Sequence, residues 1–119
     1  MAFPATYNFS YYRGDTNQFV IRPKNSDGSA FDLDSYDADF FIATARGAAT
    51  SVVQYEASAL VDDVNNLVTC TIGPLLGEDL APATYVYDVE INKTVGGVLT
   101  RFTLLTGTIS VTEQISGAV

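Results

Sequence analysis

Histidine and tryptophan are absent from this chain, and cysteine occurs only once. Without histidine, Ser-His-Asp catalysis, Cys-His catalysis and histidine-ligated metal sites are excluded, and a lone cysteine excludes an internal disulfide. Basic residues are also few, because 6 Lys and Arg stand against 14 Asp and Glu, for a net charge of -8. A body this negative repels phosphate backbones, so no nucleic-acid partner is expected.

Long apolar runs and targeting signals are missing too. No apolar run approaches the roughly 20 residues of a membrane span. Residues 1–7 have neither the basic region nor the apolar region of a secretory signal. We therefore expect a chain that is made in the cytoplasm and has no membrane partner.

What the sequence does contain is alternating apolar residues. Its 119 residues are 47% hydrophobic and 17% charged, which is typical of a packed globular domain. Val, Thr, Tyr, Phe and Ile recur at every second position between turn residues, a pattern that predicts strands. The predicted strands are 6–12, 19–24, 38–46, 51–57, 67–72, 84–92, 98–105 and 108–112, with a short extended piece at 31–34.

About eight short strands at regular spacing predict an all-β fold, an antiparallel immunoglobulin-like β-sandwich. One short helical turn is expected near residues 74–80, and residues 1–119 are expected to form a single domain. Asn25–Ser29 is a predicted tight turn, because Asp-Gly supplies the positive φ that such a turn needs. Cys70 lies in an apolar strand, so a buried structural thiol is expected rather than a reactive one.

The segment from Leu80 to Tyr87 resembles the corner that precedes a late strand in immunoglobulin-like sandwiches. In that corner, a tyrosine hydroxyl ties the turn to nearby backbone. Here Ala83 is the small residue, Tyr85 is the corner tyrosine, and Tyr87 stands where antibody domains carry a cysteine. The alternative is that the two tyrosines only pack in the core.

Four acidic residues close together suggest a calcium site: Asp32, Asp34, Asp37 and Asp39. Calcium takes six to eight oxygens from a curved loop, and the spacing of an EF-hand is not met here. A solvated strand edge is the favoured interpretation. We therefore expect no metal site, no cofactor and no catalytic residue.

Several segments in order resemble small β-sandwich modules of tailed-bacteriophage virions, such as the N-terminal domain of upper-baseplate and minor tail proteins. These modules carry a GDT entry, a DG hairpin, a Tyr-x-Tyr-Asp corner and a last strand of the form L-x-G-x-I-x-V. The matching segments here are Gly14–Thr16, Asp27–Gly28, Phe31–Leu33, Leu80–Ile91 and Leu104–Thr112. One departure is Ala83, where the family often has glycine.

The resemblance implies a structural, non-enzymatic protein of the virion. It would act as an adaptor or connector in the tail, baseplate or fibre-attachment region, beside other virion proteins and as a homo-oligomer. A capsid decoration (cement) protein and a carbohydrate-binding module remain as alternatives, and a small hydrolase is the least favoured.

Both ends of the sequence are short apolar tails, residues 1–4 and 115–119. Apolar termini often become ordered only against a neighbouring molecule. We therefore predict that the tails dock on an adjacent subunit through Phe3, Pro4, Ile115 and Val119.

Overall fold

A computed structural model describes residues 4–45 and 54–113, and strands are the main regular secondary structure in both segments. This confirms the prediction of an all-β protein. The only helix among the described residues is α1, Pro74–Asp79, where a short helical turn was expected. The strands are β1 Ala5–Thr6, β2 Phe9–Tyr12, β3 Asn17–Ile21, β4 Asp37–Ala43, β5 Gln54–Asp62, β6 Leu67–Ile72, β7 Thr84–Val95 and β8 Val98–Thr112.

The strands form one curled, mixed sheet in the order β1-β8-β7-β4-β5-β6-β3, with β2 also paired to β8. Neighbours are antiparallel except for β1 and β2, which run parallel to β8. The expectation of purely antiparallel pairing is therefore wrong at the N-terminus. Strands at opposite ends of a chain need no short hairpin between them, so they are free to pair in parallel.

The sheet curls because β5 changes partner along its length. Residues 54–57 pair with β4, whereas residues 58–62 pair with β6. The strand thereby carries the chain from the β4 side of the core to the β6 side. The inward-facing residues of the two sides meet in a single hydrophobic core.

Aromatic rings from four strands meet around Tyr87 on β7. Its ring centroid lies 5.5 Å from that of Phe9, 6.3 Å from that of Phe19 and 5.6 Å from that of Phe40. Phe19 of β3 also contacts Phe40 of β4, with 5.6 Å between centroids. Since β3 pairs with neither β4 nor β7, these contacts pack one side of the curled sheet against the other. Offset and edge-to-face contacts of this kind add to the stability gained from burial.

Cys70 on β6 lies in this core and is fully buried, as predicted. Burial raises the pKa of its thiol from 9.0 to about 12. A thiol with so high a pKa carries almost no thiolate at neutral pH and is chemically inert.

The N-terminal strand is interrupted where it passes Gly107. The predicted strand 6–12 is divided into β1 and β2 at Tyr7 and Asn8, and the side chain of Asn8 accepts a hydrogen bond from the Thr108 N–H at 2.9 Å. A Cβ atom on Gly107 would lie 2.0 Å from the carbonyl oxygen of Tyr7. Glycine therefore permits this close approach. The predicted separation between strands 98–105 and 108–112 is absent, because β8 continues through Gly107.

The connection between β3 and β4 contains the predicted tight turn, with Gly28 at φ 88°. The Asn25 N–H donates to the Ser29 carbonyl oxygen across it, at 2.8 Å. The predicted extended piece at 31–34 is not a strand, and only a single bridge joins Lys24 to Ala30. Residues 30–36 turn over the end of the core instead, where Leu33 and Tyr36 are buried.

Candidate functional site

Three chain connections gather at one end of the sheet, which we call the loop end. They are the β3–β4 connection (22–36), the β5–β6 turn (63–66) and the β7–β8 hairpin beyond Asn92 (93–100). The strand directions require this grouping, because the strands before and after each connection meet at the same end of the sheet. Loop clusters on a rigid β framework are common positions for binding residues.

Two contacts join these connections into a continuous surface. The buried Leu33 donates its N–H to the side-chain oxygen of Asn66 in the β5–β6 turn, at 3.1 Å. The Lys93 ammonium of the hairpin lies 4.5 Å from the ring centroid of Tyr36 in the β3–β4 connection. A cation over an aromatic face is attracted by the ring quadrupole. The loop end is therefore held in place by its own side chains.

The β7–β8 hairpin extends past its neighbours. Pairing with β4 begins at Asp37, opposite Asn92, and pairing with β1 begins at Ala5, opposite Leu105. Beyond these points no other described strand pairs with the hairpin. It closes in a turn at Gly96 and Gly97, whose φ angles of 59° and 81° are those of a two-residue hairpin turn.

The end of this hairpin carries exposed apolar side chains, which we call the hairpin tip. Val95 is 62% exposed, Val98 is 65% exposed and Leu99 is 54% exposed. Val95 is directly opposite Val98, and Leu99 is opposite Thr94. In a two-stranded ribbon, the side chains of a cross-strand pair lie on one face, and those of the next pair lie on the opposite face. Val95 and Val98 therefore lie on one face of the tip and Leu99 lies on the other, so both faces carry apolar side chains. Clustered apolar side chains at an extremity are typical of contact sites.

A shallow depression of about 400 Å³ lies between the hairpin and the β3–β4 connection. Asp32 and Asp34 line it together with Lys93. The Asp32 carboxylate accepts a hydrogen bond from the Asp34 N–H at 3.0 Å, and Asp39 accepts one from the Asn92 amide at 3.0 Å. Two of the four clustered acids thus serve a turn and a cross-strand contact. Residues 4–45 and 54–113 contain no group of three or more side chains placed to hold a metal ion.

Two exposed aspartates stabilise turns at the loop end. The Asn65 side chain donates to Asp62 at 2.9 Å and, with the Asn65 and Val64 N–H groups, lowers the pKa of this carboxyl. The Ser29 hydroxyl donates to Asp27 at 2.6 Å and likewise lowers its pKa. These carboxylates are structural caps of their turns.

The side of the sheet between β3 and the N-terminal strand is open. Among the described residues, β3 pairs only with β6, and β1 and β2 pair only with β8. Side chains bridge the gap, since the ring centroids of Tyr7 and Phe19 lie 5.9 Å apart. An apolar depression of about 440 Å³ lies here, lined by Tyr7, Phe19, Val20, Ile21, Arg22 and Leu105.

Of the four residues predicted to form the tail interface, only Pro4 falls within the described part of the chain. It is exposed and directly precedes β1. Phe3, Ile115 and Val119 lie outside the described residues, so docking by the tails stays a prediction. The hairpin tip was missed because its alternation looks like that of any paired strand. The available signal was an apolar residue on each side of Gly96–Gly97.

No protein-family model matches the chain, and no curated protein is similar to it in sequence. In the segments that the structure describes, no helix is long and apolar enough to cross a membrane.

Proposed function

We propose that the chain is a structural, non-enzymatic subunit of a tailed-phage virion, an adaptor or connector built on an immunoglobulin-like β-sandwich. The aromatic cluster supports this fold. Antibody domains join their two sheets by a disulfide and pack a tryptophan against it. Here Phe19 and Tyr87 make the contact between the two sides of the sheet, and Phe40 packs against both.

The corner before β7 supports the same fold. The Tyr85 hydroxyl donates a hydrogen bond to the Ala81 carbonyl oxygen at 2.8 Å. This confirms the prediction that the hydroxyl ties the turn to nearby backbone. A tyrosine at the start of this strand, bonded a few residues upstream, is a hallmark of immunoglobulin-like domains.

The observation that carries the functional proposal is the hairpin tip. More than half of the side-chain surface is exposed at Val95, Val98 and Leu99. These residues lie at the end of the hairpin, where no other described strand pairs with it. Burying such side chains against a neighbour gains about 25 cal/mol per Å² of apolar surface. An adaptor or connector works through contacts of this kind, and the tip offers one at the extremity of the domain.

Particle composition tests this proposal. We expect mass spectrometry of purified phage particles to detect the chain, and electron microscopy to place it in the tail or baseplate. Replacing Val98 and Leu99 with Asp should reduce its incorporation, whereas Val64→Asp, at an 85% exposed residue of another turn, should not. Absence of the chain from intact particles would contradict the proposal.

The two alternatives predict different results. A capsid decoration protein would appear on the head of the same particles. A carbohydrate-binding module would bind specific sugars on a glycan array. The exposed ring of Tyr7 does not favour the latter, because it stacks on Phe9 with 5.3 Å between centroids.

A further inference from the structure

We propose that Asp27–Gly28 is a site of spontaneous rearrangement to isoaspartate, and that the side chain of Ser29 slows this reaction in the folded chain. The sequence contains the dipeptide Asp-Gly once and the dipeptide Asn-Gly not at all. The site lies in the tight turn of the β3–β4 connection, at the loop end. The inference concerns the isolated chain and does not depend on the proposed function.

The reaction needs only the aspartate side chain and the next main-chain nitrogen. The Gly28 nitrogen attacks Cγ of the protonated Asp27 carboxyl, and the carboxyl hydroxyl leaves with the proton of that nitrogen as water. Water then opens the resulting succinimide ring. Opening at the side-chain carbonyl restores aspartate, whereas opening at the main-chain carbonyl leaves the chain running through Cγ, as isoaspartate. No oxidant or cofactor takes part, and the mass of the chain is unchanged.

The surroundings of the dipeptide leave room for this reaction. Glycine places no side chain beside the attacking nitrogen. A Cβ built on Gly28 would meet no heavy atom within 4 Å beyond its chain neighbours, so packing does not block ring closure. Asp27 and Gly28 are both exposed, and water can therefore reach and open the ring.

Hydrogen bonds within the turn restrain both reacting groups. The Ser29 hydroxyl donates to Oδ1 of Asp27 at 2.6 Å, and the Ser29 N–H donates to the same oxygen at 2.9 Å. Bonds of this kind stabilise the ionised carboxylate, which has no hydroxyl to lose as water, and the pKa of this carboxyl is lowered accordingly. The Gly28 N–H donates to the Asn25 carbonyl oxygen at 2.9 Å, so the attacking nitrogen is engaged as well.

The Ser29 hydroxyl is the restraint that a substitution can remove without altering the main chain. The Asn25 side-chain amide donates to this hydroxyl oxygen at 3.1 Å, which helps to hold it beside Asp27. Isoaspartate would lengthen the main chain between Asn25 and Ser29, whose main-chain groups are joined at 2.8 Å. It would also disturb the bridge between Lys24 and Ala30. Rearrangement would therefore loosen the β3–β4 connection.

Ageing of the full chain in mildly acidic buffer tests the inference. Peptide mapping with electron-transfer dissociation distinguishes the two linkages and measures isoaspartate at residue 27. We expect it to accumulate about threefold or more faster in folded Ser29→Ala than in the folded unmodified chain, because a hydrogen bond to the carboxylate is lost. Ser29→Thr keeps a hydroxyl and should age as the unmodified chain does. Ser58→Ala, at an exposed position on β5, is the matched control and should also leave the rate unchanged.

Ageing in guanidinium chloride separates the effect of the folded turn from that of the local sequence. Without the turn, the unmodified chain and Ser29→Ala should convert at equal rates, and faster than the folded unmodified chain. Circular dichroism verifies that each variant folds in buffer. Equal rates for the two folded chains would overturn the role of Ser29, and so would a faster rate for Ser29→Ala in denaturant. Absence of isoaspartate at residue 27 from the aged, unfolded chain would overturn the site itself.

Asp62 provides an internal comparison. Its carboxylate also accepts hydrogen bonds from its own turn, including one from the Asn65 side chain at 2.9 Å, but the next residue is Asp63 instead of glycine. Asn65→Ala removes that side-chain bond, and isoaspartate at residue 62 should stay well below the level at residue 27 in Ser29→Ala. Comparable levels at the two sites would show that glycine does not set the position of the reaction.

Discussion

The hydroxyl group of Tyr87 donates a hydrogen bond to the main-chain carbonyl oxygen of Tyr7, at 2.5 Å. It joins β7, which lies within the sheet, to the point where the N-terminal strand breaks between β1 and β2. The same carbonyl oxygen is the atom nearest to the position that a Cβ on Gly107 would occupy. The Tyr87 side chain and the lack of a side chain at Gly107 therefore fix the register of the N-terminal strand on β8.

Gly107→Ala should displace the N-terminal strand. The added Cβ would lie 2.0 Å from the Tyr7 carbonyl oxygen, a distance that real contacts do not allow, so the backbone must shift. We expect the free energy of unfolding to fall by about 2 kcal/mol or more, measured by urea denaturation. Gly73→Ala, where the added Cβ meets nothing within 4 Å, is the control and should cost less than about 1 kcal/mol. Equal losses in the two variants would contradict this account.

Tyr85→Phe should weaken the corner before β7 without disturbing its packing. The variant loses the hydrogen bond to the Ala81 carbonyl oxygen and keeps the ring in the core. A cost of about 1 kcal/mol is expected from the loss of one hydrogen bond, measured by the shift of the denaturation midpoint. Tyr12→Phe removes a hydroxyl from a ring that is 56% exposed and should leave the midpoint unchanged.

Phe40→Ala should be among the most destabilising single substitutions in the domain. Its ring is fully buried and contacts both Phe19 and Tyr87, so truncation leaves a cavity between the two sides of the sheet. We expect the free energy of unfolding to fall by about 3–5 kcal/mol. Chemical denaturation followed by tyrosine fluorescence or circular dichroism measures this loss. The exposed Tyr12→Ala serves as the matched aromatic truncation, and a similar loss there would show that burial does not set the cost.

Stability should fall in alkaline solution because of Cys70. Burial raises the pKa of its thiol from 9.0 to about 12, so between these values the unfolded chain ionises while the folded chain keeps its proton. The free energy of unfolding should then decrease by about 1.4 kcal/mol per pH unit for this group. The pKa values of Tyr85 and Tyr87 are also raised by burial, which adds to the decrease above pH 10.

The control for this alkaline effect is Cys70→Ala. The variant starts less stable because it leaves a small cavity, but its free energy of unfolding should depend less steeply on pH between 9 and 12. Denaturation in the presence of a reducing agent measures both slopes. Parallel slopes would assign the whole alkaline effect to other groups.

Local features of this fold were predictable because local residues decide them. Alternation located the central strands, Asp27–Gly28 located a turn, and the spacing around Tyr85 located the corner. Strand direction was not predictable in this way, since alternation has the same period in parallel and antiparallel pairs. The parallel pairing of β1 and β2 with β8 depends on contacts between the two ends of the chain, such as that of Tyr87 with Tyr7.

The candidate contact surfaces were harder to predict than the core. Val95, Val98 and Leu99 have the pattern of buried strand residues, and only the ends of β4 and β1 show that the hairpin extends past its neighbours. The open side between β3 and the N-terminal strand is a property of the order of strands in the sheet. Neither depends on a motif, so no reading of short segments would have found them.

The parallel pairing at the N-terminus has a mechanical consequence. β1 and β2 run away from the loop end in the same direction as β8, which carries the chain to Thr112. Tension applied between residues 4 and 113 would pull these adjacent strands in opposite directions along their length. The hydrogen bonds between these strands would then be loaded in shear and would resist the force together, instead of breaking one after another. A domain whose terminal strands pair in parallel therefore resists unfolding when it is stretched between two neighbours.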